Sequence, residues 1–215
     1  MDQSHKSLNR VNKFIFFLGS ISLITAPLLT FIGWSISHDT LTSFLDFNFI
    51  HKITDATKNL DANSSPQLIF RFYLLPHYFI YSSMPFYVGL GLKIISYTYK
   101  RTPWLSVTGI LSVIIGSIYF IGVLGAYLST PIGGVMQTNI LKISFSLCLL
   151  LFVGNIFLGI ATYVSCVIAK WQSALFIFGN LLILIFPGIE NWMALGSIMM
   201  ITALFPLSLK KNIKI

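Results

Sequence analysis

The stretch LIFRFYLLPHYFIYSSMPF, residues 68–86, places basic and phenolic side chains inside an otherwise apolar run. Tyr73, His77 and Tyr81 recur every four residues, so on a helix they share one face. A histidine on such a face can carry a proton. The face therefore suggests a polar crevice open to the outside. The alternative is that Tyr73 is an interfacial aromatic and that His77 bonds a neighbouring helix.

Arg71, at the start of the same stretch, has one candidate partner elsewhere in the chain. Glu190 lies in the turn PGIEN, and the two residues are predicted at the same membrane depth. A salt bridge between them is one interpretation. The other is that Arg71 extends to the lipid headgroups, because an arginine at the membrane midplane costs at least about 2.5–3.5 kcal/mol.

Two amides, Asn155 and Asn180, lie near the centres of consecutive apolar segments, each directly after a glycine. If the segments pair in antiparallel fashion, the amides reach similar depth, and Gly154 and Gly179 let the backbones come close. An interhelical amide–amide hydrogen bond, contributing about 0.6–2 kcal/mol, is the simplest interpretation. The alternative is a substrate site, because transporters bind substrates at the midplane.

Motifs for catalysis or metal binding are missing from the sequence. His77 is the only histidine in a predicted span, so a bis-histidine haem has no second ligand there. His38, Asp39 and His51 do not combine with it in any metal-ligand spacing, and GxSxG, HExxH and Walker motifs are absent. No Asp or Glu lies inside a predicted span to carry protons or sodium. We therefore predict no catalytic residue, no metal and no cofactor.

The composition and the lengths of the apolar runs predict which secondary structure positions these side chains. The chain has 215 residues, of which 55% are hydrophobic and 9% charged, whereas a soluble domain has about 25% charged residues. Too little polar surface remains to coat a globule, so the predicted solvent is lipid. The apolar runs are continuous and exceed the roughly 10 alternating residues of a barrel strand, which favours helices.

Six apolar segments predict an all-α fold: a polytopic integral membrane protein with a six-helix transmembrane bundle in a single domain. The predicted spans are 14–36, 68–97, 104–128, 140–169, 171–186 and 192–209. The tails 1–13 and 210–215 and the loop 37–67 lie outside them. The fifth span is the shortest, and it could be tilted or partly re-entrant.

Basic residues set the predicted orientation. With the N-terminus inside, ten of the 14 Lys and Arg residues fall on the cytoplasmic side, which is the positive-inside pattern. Both termini are therefore predicted to be cytoplasmic, in a bacterial cytoplasmic membrane. In the first outer loop, LTSFLDFNFIHKI (41–53) spaces its apolar residues by three and four, which favours a short interfacial helix over an irregular loop.

Three functions remain open on these residues. The first is a non-catalytic subunit, partner-binding or accessory component. The second is a small permease or channel lined by Asn155, Asn180 and His77. The third is an intramembrane enzyme with an outer-leaflet site at Arg71, His77 and Glu190. The expected partners are the lipid bilayer and either another protein or a second copy. Nucleic acid is disfavoured, because the basic residues flank apolar runs instead of forming one face, and the sequence does not identify a small-molecule ligand.

Overall fold

All secondary structure in the described part of the chain is helical. A computed structural model describes residues 2–36, 66–129, 143, 146–187 and 190–209. Its six long helices are α1 (Asp2–Ser35), α2 (Leu75–Thr98), α3 (Pro103–Ser129), α4 (Leu150–Ser165), α5 (Lys170–Ile185) and α6 (Glu190–Ser208). The predicted all-α class and the six helices are confirmed.

Four segments are long and apolar enough to cross a membrane: Phe16–Ser35, Pro103–Gly122, Ser146–Ser165 and Asn191–Ser208. α5 has 16 residues and is therefore about 24 Å long, shorter than the hydrocarbon core of about 30 Å. α2 carries His77 and Lys93 within its length. That these two helices also cross, and that both termini are cytoplasmic, stay predictions.

The six helices form a closed ring. Each packs against its neighbours in chain order, and α6 returns to contact α1. Consecutive helices are antiparallel: in the first pair, Gly19 lies against Lys93 and Gly33 against Ile80. α2 also contacts α4 across the ring. Buried apolar side chains from all six helices make one continuous core, which includes Leu23, Tyr87, Val113, Phe152, Phe176 and Leu204.

One end of the ring, called the basic end below, is where α1, α3 and α5 begin and α2, α4 and α6 end. Two of its turns are tied together. Arg101 Nη1 donates a hydrogen bond of 2.6 Å to the carbonyl oxygen of Ser165, where a cation is favoured by the exposed carbonyls of a helix C-terminus. The Thr102 and Ser165 hydroxyls are 3.3 Å apart, and those of Thr98 and Ser106 are 2.7 Å apart.

Polar side chains also join α1 to α2 in the interior. The hydroxyl of Thr30 donates to Ser83 Oγ at 3.2 Å and lies 3.1 Å from the hydroxyl of Tyr87. All three residues are buried. Interhelical hydrogen bonds of this kind are worth about 0.6 kcal/mol each in membrane proteins, so they fix the register of the pair more than they drive its association.

A π turn leads into α2. The chain forms a short α-helical piece at Pro66–Ile69, a π-helical turn at Phe70–Leu74 and then α2 itself. Pro76 cannot donate an amide to the carbonyl four residues earlier, and the wider turn directly precedes it. Such π turns accommodate a break in the α-helical ladder without ending the helix. The predicted second span, 68–97, is therefore one helical run.

The fourth predicted span, 140–169, extends too far at its C-terminal end. α4 stops at Ser165, because Cys166 adopts the left-handed conformation with φ 53°. A turn then runs through Ala169 before α5 begins at Lys170. The apolar residues Val167 and Ile168 lie in this turn, and they made the hydrophobic run look unbroken.

Other sequence boundaries meet the structure only in part. α1 begins at Asp2, so residues 2–13 of the predicted tail continue the first helix toward the N-terminus. Residues 37–65, with the predicted interfacial helix, and the tail 210–215 lie outside the described residues.

Candidate functional site

The candidate site lies between α4 and α5, and its geometry depends on their register. The hydroxyls of Thr162 and Ser173 form a hydrogen bond of 3.1 Å between the two helices. One turn further along, a Cβ added to Gly159 would lie 3.2 Å from the ring of Phe176. Because the helices are antiparallel, each step back along α4 matches a step of similar length forward along α5.

The next turn along this interface carries Asn155 on α4 and Asn180 on α5. Asn155 precedes Thr162 by seven residues, and Asn180 follows Ser173 by seven. A seven-residue step returns to nearly the same face of a helix. The register thus brings the two amides to the same level on facing surfaces. We use the name α4–α5 seam for the residues at this interface: Asn155, Gly159 and Thr162 on α4, and Ser173, Phe176 and Asn180 on α5.

The predicted amide–amide hydrogen bond is not formed. Both asparagines are 0% exposed. Asn180 Nδ2 donates instead to the carbonyl of Phe176, at 2.8 Å within its own helix. Within the described part of the chain, Asn180 Oδ1 and both amide atoms of Asn155 lack a hydrogen-bond partner. Each such buried group costs about 1–3 kcal/mol, so the seam is a local weakness in the core.

Two glycines, Gly154 and Gly179, bring α4 and α5 into close contact with their other neighbours, α3 and α6. A Cβ on Gly154 would lie 2.6 Å from the carbonyl oxygen of Gly109 on α3. A Cβ on Gly179 would lie 2.7 Å from the carbonyl oxygen of Gly196 on α6. Backbones this close leave no room for a side chain, so α4 is pressed against α3 and α5 against α6. Each asparagine therefore follows a residue that is fixed by the next helix outward.

The candidate residues of the stretch 68–86, on α2 and the turn before it, are not part of the seam. His77 is 4% exposed and so does not line an open crevice in this structure. The hydroxyl of Tyr81 is buried and makes no hydrogen bond to the described residues. Arg71 is exposed in the π turn. The side chains of Tyr73 and Glu190 lie outside the described residues, so the Arg71–Glu190 salt bridge stays a prediction.

The predicted site residues thus divide between two places. Asn155 and Asn180 lie at matching positions of α4 and α5, whereas the remaining candidates with described side chains belong to α2 and the turn that precedes it. Among the residues that the structure describes, no group of three or more His, Cys, Asp or Glu side chains could hold a metal ion.

One buried charge has no counterpart among the predicted site residues: Lys93, which the sequence assigns to the cytoplasmic side. Lys93 is 3% exposed, and its Nζ lies over the ring of Phe16 and 5.3 Å from the ring centroid of Tyr97. The spacing of Lys93 and Tyr97, one turn apart, is a weak sequence signal for such a contact. The contact with Phe16 depends on how α1 pairs with α2, which no motif specifies.

No protein-family model, curated protein or solved structure matches this chain.

Proposed function

We propose that the chain is a multi-pass integral membrane protein without catalytic function, acting as a packed subunit, partner-binding or accessory component. The supporting observation is the single core: buried side chains from all six helices meet at the centre of the ring, and both seam asparagines are enclosed within it. A channel conducts through a hydrated path lined by its polar groups. In this fold, Asn155 and Asn180 face no such path.

The outward surface supports insertion into lipid. On α3, the side chains of Leu111, Ile115 and Ile118 are 53%, 42% and 63% exposed. A continuous apolar surface of this kind invites aggregation in water, whereas lipid covers it. Near the basic end, Trp104 and Trp171 are 84% and 61% exposed, as expected of tryptophans at a membrane–water interface.

The charge distribution supports an orientation. Lys100, Arg101 and Lys170 are exposed at the basic end, where α1 also begins. Basic residues are retained on the cytoplasmic side during insertion. The proposed orientation therefore has the basic end and both termini in the cytoplasm of a bacterial cell.

A second function, transport of a small uncharged solute, is favoured by the unpartnered amide atoms of Asn155 and Asn180. In a static component these atoms cost stability without compensation. In a transporter they would bind solute near the midplane once α4 and α5 separate, and the closed seam would be one of two states.

Thiol labelling in native membranes separates the two functions. Single cysteines are introduced as Asn155→Cys and Asn180→Cys after Cys148 and Cys166 have been replaced by serine. For a packed component, a membrane-impermeant reagent should label neither position from either side, while Lys100→Cys, an exposed control, reacts. Labelling of both seam positions in folded protein would contradict the proposal and support transport. Denatured samples verify that each thiol is present.

A further inference from the structure

The buried amine of Lys93 has an incomplete set of partners. Its stem packs against Gly19, where an added Cβ would lie 3.1 Å from Lys93 Cβ. Its Nζ is 3.4 Å from the carbonyl oxygen of Phe16, which is longer than the usual 2.7–3.2 Å of such bonds. The Phe16 ring contributes a cation–π contact. An ammonium group has three donors, so the described residues meet only part of its hydrogen-bonding capacity.

The contacts that Lys93 makes with the described residues include no carboxylate. The chain has six acidic residues. Of the two that lie in described helices, Glu190 begins α6 at the end opposite the basic end. Asp2 precedes Phe16 by 14 residues on α1, or about 21 Å along the helix. Lys93 therefore has no counter-charge among the residues that the structure describes.

A second unmet donor lies beside the amine. Tyr97 is one helical turn from Lys93 toward the basic end, and its ring packs edge-on against Phe16 with 6.1 Å between centroids. Its hydroxyl is buried and finds no acceptor among the described residues. An ammonium and a phenol with unused donors are best complemented by an oxyanion, which accepts from both.

The position of Lys93 and Tyr97 in the fold indicates which kind of anion they bind. Lys93 and Tyr97 lie in the last two turns of α2, at the basic end. Arg10 and Lys13 precede Phe16 on α1 by no more than two turns. Basic pockets between helices at this depth bind phosphate-bearing lipid headgroups.

We propose that Lys93 and Tyr97, between α1 and α2 at the basic end, bind a phosphate oxyanion, supplied by an anionic phospholipid headgroup or by free phosphate. A lipid can supply the phosphate only if the chain inserts into a membrane, as proposed above. The binding of phosphate does not depend on that proposal, because it can be measured in detergent. Phe16 covers the amine, so its ring must turn aside for the phosphate to reach Nζ.

The test is native mass spectrometry of the full chain in a non-ionic detergent, titrated with phosphatidylglycerol or with phosphatidylcholine of the same acyl chains. The wild type should retain phosphatidylglycerol in preference. Lys93→Gln should weaken that retention by about tenfold or more, the effect of losing a desolvated charge contact. Lys100→Gln, which removes an equal charge from an exposed position, should change it less than about twofold, as for a solvent-screened charge.

A second arm identifies the source of the phosphate. If millimolar inorganic phosphate displaces phosphatidylglycerol and binds the wild type in its absence, free phosphate is the ligand; if it does not, the headgroup is. Equal retention of the two lipids, or equal losses in Lys93→Gln and Lys100→Gln, would overturn the proposal. Should Lys93→Gln fail to fold, Tyr97→Phe decides, because it keeps the ring and removes only the hydroxyl. Unchanged retention in that variant would also overturn it.

Discussion

Asn155 is the residue at which the fold carries its clearest uncompensated cost. Replacing it by leucine keeps a similar volume and removes two buried polar atoms that make no hydrogen bond within the described structure. We expect Asn155→Leu to raise the free energy of unfolding by about 1–3 kcal/mol. In a chain of this length each kcal/mol corresponds to roughly 2–4 °C in Tm, which thermal unfolding in detergent resolves.

Asn180→Leu is the matched control. It removes one unpartnered oxygen, but it also removes the hydrogen bond from Nδ2 to the carbonyl of Phe176. Its gain should therefore be smaller than that of Asn155→Leu. If Asn155→Leu instead lowered Tm by several degrees, the amide would have a stabilising partner, and the seam would not be the weak point described here.

At this scale the sequence predicts positions better than contacts. The shared depth of Asn155 and Asn180 follows from counting residues along two apolar segments. Their missing hydrogen bond does not, because Asn180 bonds within its own helix, and that choice is made by local side-chain geometry. Lys93 illustrates the same limit: the sequence assigns it to the cytoplasmic side, whereas the pairing of α1 with α2 buries it under Phe16.

At the scale of the helices, the close approach of α3 and α4 can be tested by a substitution at Gly154. A Cβ at Gly154 would lie 2.6 Å from the carbonyl oxygen of Gly109 and 2.7 Å from the amide nitrogen of Val113. Both are backbone atoms, so the helices themselves must move apart. We expect Gly154→Ala to lower the free energy of unfolding by about 1–3 kcal/mol, as overpacking does elsewhere, measured by thermal unfolding.

Gly122→Ala on α3 provides the comparison, because nothing lies within 4 Å of its added Cβ. Alanine has the higher helix propensity, so this change should be neutral or stabilising by up to about 1 kcal/mol. Equal destabilisation by the two substitutions would show that the glycines matter for backbone conformation and not for the approach of α4 to α3.

Element boundaries were predictable where apolar runs end at strong signals. The third predicted span, 104–128, matches α3, which begins at Pro103 after the basic turn and ends at Ser129. The end of α4 was missed, since Val167 and Ile168 continue the apolar pattern through a turn that depends on one left-handed residue, Cys166. Hydropathy contains no information about that backbone conformation.

For the whole molecule, short links join α2 to α3, α4 to α5 and α5 to α6, so the contacts within these three antiparallel pairs follow from the sequence. The contact between α6 and α1 that closes the ring does not. No link forces these two helices together, and their association depends on side-chain packing alone. Closure is also what encloses the core and the seam.

The claim that all six helices cross the membrane is tested most directly at α5, the shortest of them. Single cysteines are placed at the exposed positions that flank it, Ala169→Cys and Pro187→Cys, and labelled with an impermeant thiol reagent from each side of sealed membranes. If α5 spans, Ala169→Cys should react only from the cytoplasmic side and Pro187→Cys only from the outside. Reaction of both from the same side would contradict the six-span bundle.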